Sequence, residues 1–180
     1  MKAVVIYESM YGHTHQIAKA IGEGLSLTAD VVVVPVGEAD AELVKSADVV
    51  VVGGPTHVHG MSRANTRKAA ADAAAKPGAD LVLAPDADDP GLREWFASVD
   101  LVFTNAAAFD TRFDLPAAIT GRASKGIARK LRHHGATLIA EPESFFVKKD
   151  SHLAPDQEVR AREWGAKLAR NLKGKARVST

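Results

Sequence analysis

The chain has 180 residues, 46% of them hydrophobic and 25% charged, and contains no cysteine. That length and balance fit one domain with its own core, and the lack of thiols excludes disulfides, thiolate metal sites, iron–sulfur ligation and a cysteine nucleophile, so redox work requires a bound cofactor. A net charge of +1 indicates no polyanionic partner, but it is unevenly spread: residues 1–110 carry 8 Lys/Arg against 15 Asp/Glu, and residues 111–180 carry 15 against 7.

Ala3–Tyr7 opens the chain as a β-branched run with no basic n-region, long apolar stretch or cleavage site around it. No export signal is read, and the cytoplasm is the expected location. Similar short runs recur at Val31–Val36, Val49–Val52, Leu101–Thr104 and Ala136–Ala140. They lack polar alternation, which predicts strands buried on both faces, as in a parallel sheet. Helical spacing separates them: Ile17, Ile21 and Leu25 after the first strand, Ile119, Ala123, Ile127 and Leu131 after the fourth, Ala161, Trp164, Leu168 and Leu172 after the fifth.

The boundaries follow from capping chemistry. Thr14 is the expected cap of the first helix, Ala39-Asp40 opens a short second one, and Pro116 and Gly135 bound the helix of the fourth connection. Lys76–Gly91, with three prolines and four aspartates, reads as a surface loop before a short Leu92–Ser98 helix. The alternation predicts an α/β fold, an open, doubly wound, five-stranded parallel sheet in a three-layer αβα sandwich over residues 1–172, with a frayed tail at 173–180. No run of 18 apolar residues occurs, so no membrane span is expected. The basic residues of the last third alternate with apolar positions, which is the pattern of solvated helix faces and not of a nucleic-acid surface.

Ser9-Met10-Tyr11-Gly12-His13-Thr14 lies between the first strand and the first helix, where ligands bind in a doubly wound sheet. Two hydroxyls, a flexible glycine and a helix N-terminus make an anion site without Lys or Arg, suited to one terminal phosphate. Neither Gly-x-Gly-x-x-Gly nor the Walker pattern is present; Gly121–Gly126 is followed by Ile127 and Ala128. The run Val5-Ile6-Tyr7-Glu8-Ser9-Met10-Tyr11-Gly12-His13-Thr14, with Ala18 and Ile21 after it, resembles the FMN-phosphate signature of the flavodoxin family. Ser-Met-Tyr-Gly-His is also similar to the corresponding loop of flavodoxin-like NAD(P)H:quinone oxidoreductases, a likeness confined to about the first 60 residues.

The resemblance implies a flavodoxin-like fold, noncovalent FMN, and a phosphate held by Ser9, Met10, Tyr11, Gly12, His13 and Thr14. It implies that the loop after the third strand, Gly53-Gly54-Pro55-Thr56-His57-Val58-His59, lies along the isoalloxazine ring, with Pro55 and Thr56 near the ribityl chain. His57, Val58 and His59 stand where flavodoxins place Trp or Tyr, which predicts a different redox poise. The loop after the expected fourth strand brings Asn105, Ala106, Ala107, Phe109 and Arg112 toward the ring's other side; Phe109 or Phe113 is expected to cover it and Arg112 to offset charge on reduced flavin. Core packing is the alternative for the phenylalanines, and a salt bridge with Asp110 or Asp114 is the alternative for Arg112.

Other readings are weaker. His13, His15, His57 and His59 share a sheet edge but diverge, so no metal site is expected. A phosphoryl-receiver domain needs an aspartate where Gly53-Gly54-Pro55 stands, and no Gly-x-Ser-x-Gly elbow supports a hydrolase. The expectation is an FMN flavoprotein of electron transport and oxidoreduction. Its partners are a redox protein, or NAD(P)H and a small quinone-type acceptor; a homo-oligomer is compatible with either. The alternative outside redox chemistry is an interaction module that has lost FMN. Flavodoxins are usually acidic and dock on basic partners, a polarity that this charge balance does not share.

Overall fold

The computed structural model describes residues 1–79, 81–148 and 152–178. Its strands are β1 (Lys2–Tyr7), β2 (Asp30–Pro35), β3 (Val49–His57), β4 (Gly60–Met61), β5 (Asn105–Phe113), β6 (Thr137–Leu138) and β7 (Glu143–Val147). The helices are α1 (His13–Leu25), α2 (Ala41–Lys45), α3 (Ala64–Ala74), α4 (Leu92–Ser98), α5 (Ala117–Thr120), α6 (Ala123–His133) and α7 (Gln157–Val178). The parallel core runs β2-β1-β3-β5-β6, with β7 also paired to β5 and β4 paired antiparallel to β3. This is the doubly wound, three-layer flavodoxin-like fold.

Successive side chains of a strand point to opposite faces, and both faces are covered. Ala3, Val5, Val49, Val51, Ala107 and Phe109 pack against Ile17, Ile21 and Leu25 of α1 and Trp164 and Leu168 of α7. Val4, Ile6, Val50, Val52, Ala106 and Ala108 pack against Leu92 and Phe96 of α4 and Ile127 and Leu131 of α6. Burial on both sides is why these strands read as unbroken apolar runs.

The fourth core strand corrects the sequence expectation. Leu101–Thr104 precedes the ladder, and the strand is Asn105–Phe113, the segment expected to be a loop. Phe103 N donates to the His134 carbonyl at 2.9 Å, and the Phe103 ring packs beneath Trp95, so the apolar run is buried without being sheet. The fifth strand is split: Thr137–Leu138 pairs with Asn105–Ala106, Pro142 interrupts, and Glu143–Val147 pairs with Phe109–Phe113. The single helix expected from Ile119 to Leu131 breaks at Gly121 into α5 and α6. At the chain end, α7 stays helical to Val178 across most of the expected frayed tail; residues 179 and 180 lie outside the described residues. No helix among the described residues is long and apolar enough to cross a membrane.

Candidate functional site

The carboxyl ends of β1, β3 and β5 open into a cavity of about 440 Å³, a size suited to a small-molecule ligand. Its walls include Ser9, Met10, Tyr11, His13 and Thr14 from the first loop, Pro55 to His59 from the β3–β4 hairpin, and Thr111, Arg112, Phe113, Leu115, Ile119, Thr120 and Val147.

The first loop is built to leave a helix end open. Gly12 is the N-cap of α1 at φ +85°, a left-handed conformation that glycine adopts freely. Its amide donates to Ser9 Oγ at 3.1 Å, which fixes the turn and leaves the serine proton for a ligand. The expected Thr14 cap is not the one found: Thr14 lies inside the first turn and α1 has no side-chain cap. Instead, its buried hydroxyl is 2.8 Å from that of Thr111 on β5. Residues of the first turn lack intrahelical partners for their N–H groups, and no acidic side chain stands there. The open end therefore presents donors and the positive pole of the macrodipole. Tyr11 holds the loop from outside, its hydroxyl donating to the Ala70 carbonyl at 2.9 Å, and burial raises its pKa.

Thr56 has a structural task. Its hydroxyl donates to Asp110 Oδ2 at 3.2 Å and accepts from Ala123 N at 2.9 Å, while the same Asp110 oxygen accepts from Ser124 N at 2.8 Å. A fully buried carboxylate and a hydroxyl thus cap α6 from two different strands. Asp110 is a site-forming residue that the sequence reading had only as an ion-pair partner of Arg112.

The β3–β4 connection is a two-residue hairpin with Val58 at φ 44° and His59 at φ 69°, the primed turn geometry that favours Asn-Gly. A β-branched residue there is strained. The turn is held by the backbone of His59 lying against Gly121, whose own φ is +74° and where a Cβ would collide with His59 Cα. Val58 is 81% exposed, and with Phe113 (49%) and Ile119 (61%) it forms an apolar rim around the cavity mouth. His57, inside the rim, has its pKa lowered by burial, partly countered by the nearby Glu8 carboxylate. Glu8 itself is buried, accepting from Leu92 N at 2.9 Å and from the Ser62 hydroxyl.

On the β5 side, the structure separates the expected residues. Asn105 sits at the opposite end of the sheet and donates to the Asp48 carbonyl at 3.2 Å. Ala106 and Ala107 are core residues on the two faces. Phe109 is fully buried, edge-on to Phe145 and Trp164 at 6.2 and 6.4 Å. These four do not line the cavity, because the strand begins four residues later than expected and its carboxyl end is at Phe113. Arg112 does line it. Its guanidinium donates to the Leu115 carbonyl at 2.6 Å and to Thr120 Oγ1 at 3.1 Å and lies over Phe146, and among the described residues it forms no ion pair. Phe113, not Phe109, is the phenylalanine available to a ring. Leu115, Ile119, Thr120 and Val147 were missed because they follow an unrecognised strand end; the remaining signal was the exposed apolar position of Ile119 beside Gly121.

His13 and Arg112 each keep one buried ring or guanidinium nitrogen, Nδ1 and Nε, without a hydrogen-bond partner, which is capacity a ligand can take up. His15 instead stacks on Tyr7 at 4.8 Å. Among the described residues, no three His, Asp or Glu side chains group as metal ligands.

A family model described as flavodoxin matches residues 5–97. No curated protein sequence matches the chain. Among solved structures, the chain is similar to a flavodoxin from the domain Archaea at 23% identity and TM-score 0.65, with 96% of this chain and 99% of that one covered. It is also similar to a flavodoxin, WrbA-like protein from Agrobacterium tumefaciens at 21% identity and TM-score 0.59, covering 96% and 98%. A third likeness is to rubredoxin oxygen:oxidoreductase from the anaerobe Desulfovibrio gigas, at 19% identity and TM-score 0.58, covering 97% of this chain and 37% of that one. At these identities the structural likeness is one of fold.

Proposed function

This chain belongs to the flavodoxin family, and we propose that it binds one FMN noncovalently and serves in electron transfer, with the open N-terminus of α1 as the phosphate subsite. The observation that carries this reading is the uncapped, acid-free first turn of α1 facing a cavity, closed on one side by Ser9 and Gly12 and on the other by Thr14. Without a lysine or arginine in the loop, a phosphate monoester is held by N–H dipoles, hydroxyls and the macrodipole.

The cavity residues fit the group. Ser9 and Thr14 offer hydroxyls and the turn Gly12–Thr14 offers amides to the phosphate. Pro55, His57, Val58 and His59 form one wall for the ring, and Arg112 and Phe113 form the other. Thr56 and Tyr11 act by holding those walls in place. FMN, when bound, supplies the one- and two-electron chemistry that side chains lack. The chain's own part is to anchor the phosphate, exclude water with the apolar rim and set the local charge through Arg112.

Titration of flavin-free protein with FMN tests this. A one-to-one complex with a perturbed flavin absorbance spectrum is expected, and a spectrum identical to that of free FMN at all ratios overturns the reading. The electron source is either a protein reductase or NAD(P)H directly. Anaerobic NAD(P)H bleaching the bound flavin within seconds assigns a dehydrogenase cycle, and no bleaching until a reductase is added assigns a shuttle.

A further inference from the structure

Beside the cavity, between α6 and the β3–β4 hairpin, lies a second groove of about 670 Å³, with His59 shared between the two. Arg93, Arg122, Lys125, Arg129, Lys130 and His133 line it. From Leu115 to Ala140 the sequence has no Asp or Glu at all. Lys125, Arg129 and His133 are four apart and form one stripe of α6, and the like charges of Lys125 and Arg129 at that spacing destabilise a helix. Arg122 and Lys125 stand at the N-terminal end of α6, where the macrodipole disfavours cations.

Among the described residues these charges have no internal counterpart. Arg93 donates to the Met61 and Ser62 carbonyls and Arg122 to the Pro142 carbonyl and Ser144 hydroxyl. Among the described residues, none of the groove's lysines or arginines forms an ion pair. Elsewhere, five cations of the described residues are paired, among them Arg67 with Glu94, Arg160 with Glu143 and Arg162 with Glu23. Cations at the positive end of α6 and like charges four apart, unpaired among the described residues, call for an anion from outside the chain.

We propose that this groove and the adjoining apolar rim are the docking surface for an acidic electron-transfer protein. An apolar centre flanked by charge is the anatomy of a protein interface: Val58 and Ile119 are exposed at the cavity mouth, and the cations run from Arg122 to Lys130 along α6, about 12 Å. A dinucleotide's pyrophosphate spans only a part of that length, and a nucleic-acid backbone has no use for the apolar rim. Charge complementarity would set the encounter rate and exclude basic partners. The polarity is the reverse of an acidic carrier docking on basic partners. The electron-transfer part of the proposal rests on FMN occupying the first cavity; the docking part does not.

The test uses a strongly acidic plant-type [2Fe–2S] ferredoxin as the probe and a basic c-type cytochrome as the counter-probe. Calorimetry measures binding to flavin-free and FMN-loaded protein, and stopped flow measures electron transfer from reduced ferredoxin to FMN-loaded protein and from photoreduced FMN-loaded protein to the cytochrome. Ferredoxin binding to both forms is expected, with the transfer rate falling about tenfold or more from about 20 to about 300 mM salt. The cytochrome is expected to react slowly at low salt and faster as salt rises. The double variant Lys125→Glu, Arg129→Glu is expected to lose at least about tenfold in ferredoxin rate at low salt while keeping its melting temperature and FMN affinity, since an acid at position 125 suits the helix dipole. Salt-independent transfer, a preference for the cytochrome, an unaffected double variant, or displacement of ferredoxin by micromolar NADP+ overturns the proposal. Failure to take up FMN with ferredoxin binding intact would overturn the flavin reading alone.

Discussion

The hydroxyl oxygens of Thr14 and Thr111 lie 2.8 Å apart at the buried start of α1, joining the first loop to the fourth core strand. One of the two must donate. If Thr111 donates, the Thr14 proton is free for the phosphate subsite, and the pair becomes a relay that orients a donor with no conformational search.

Thr14→Val is accordingly expected to weaken FMN binding by about 1–3 kcal/mol, the cost of a missing hydrogen bond to a charged group. Thr111→Val is expected to weaken it by about 1 kcal/mol or less, because the donor survives without its orienting partner. Fluorescence titration of both variants measures this, and equal affinities for both variants and the parent remove the relay.

Arg112 carries its charge at the cavity wall without a carboxylate partner among the described residues. Arg112→Gln is expected to lower the two-electron potential of bound FMN by about 20–40 mV, corresponding to roughly 1–2 kcal/mol of lost charge stabilisation. Equilibrium reduction against a reference dye reads the shift, and an unchanged potential would leave Arg112 as packing against Phe146.

Val58 holds a left-handed conformation at the hairpin tip while being 81% exposed. Val58→Asn is expected to raise stability by about 1 kcal/mol, since asparagine tolerates that conformation. The same change removes an apolar rim group, so FMN affinity should fall as the melting temperature rises. A variant that loses stability contradicts the strain assignment, and one whose FMN affinity does not fall contradicts the rim's part in binding.

Burial depresses the pKa of His57 below its ordinary 6.5. Below pH 6.5 the unfolded chain takes up a proton that the folded chain does not, so this group's contribution falls as pH drops from 6.5 toward the folded value. His57→Gln should therefore flatten part of the acid side of the melting-temperature profile between about pH 7 and pH 5. An identical slope in parent and variant would show that His57 is not held neutral.

The first half of the fold was legible because its signals are local. Val4 to Ile6 and Val49 to Val52 are β-branched runs buried on both faces, and Ile17, Ile21 and Leu25 repeat at helical spacing and are buried. Leu92–Ser98 was read to the residue. The second half was not, because tertiary context outweighs propensity there. Ala106 to Ala108 are poor strand formers, yet they occupy the centre of the sheet because helices press on both sides. The preceding Leu101–Thr104 run was the more strand-like by composition.

That displacement decided which site residues were recovered. Everything from Ser9 to Thr14 and from Pro55 to His59 lines the cavity except Gly12, which shapes it from the N-cap. Of the residues expected on the β5 side, Arg112 and Phe113 line it, and Asn105 lies at the far end of the sheet. The Thr56–Asp110 cap of α6 joins residues 54 apart in sequence, a pairing that no periodicity announces.

The account turns on whether the open end of α1 grips a phosphate monoester. Parallel titrations of flavin-free protein with FMN and with riboflavin, followed by flavin fluorescence, test it most directly. FMN is expected to bind at least about 100-fold more tightly, a difference of about 2.7 kcal/mol assigned to the phosphate. Equal affinities, or no binding of either, would contradict it.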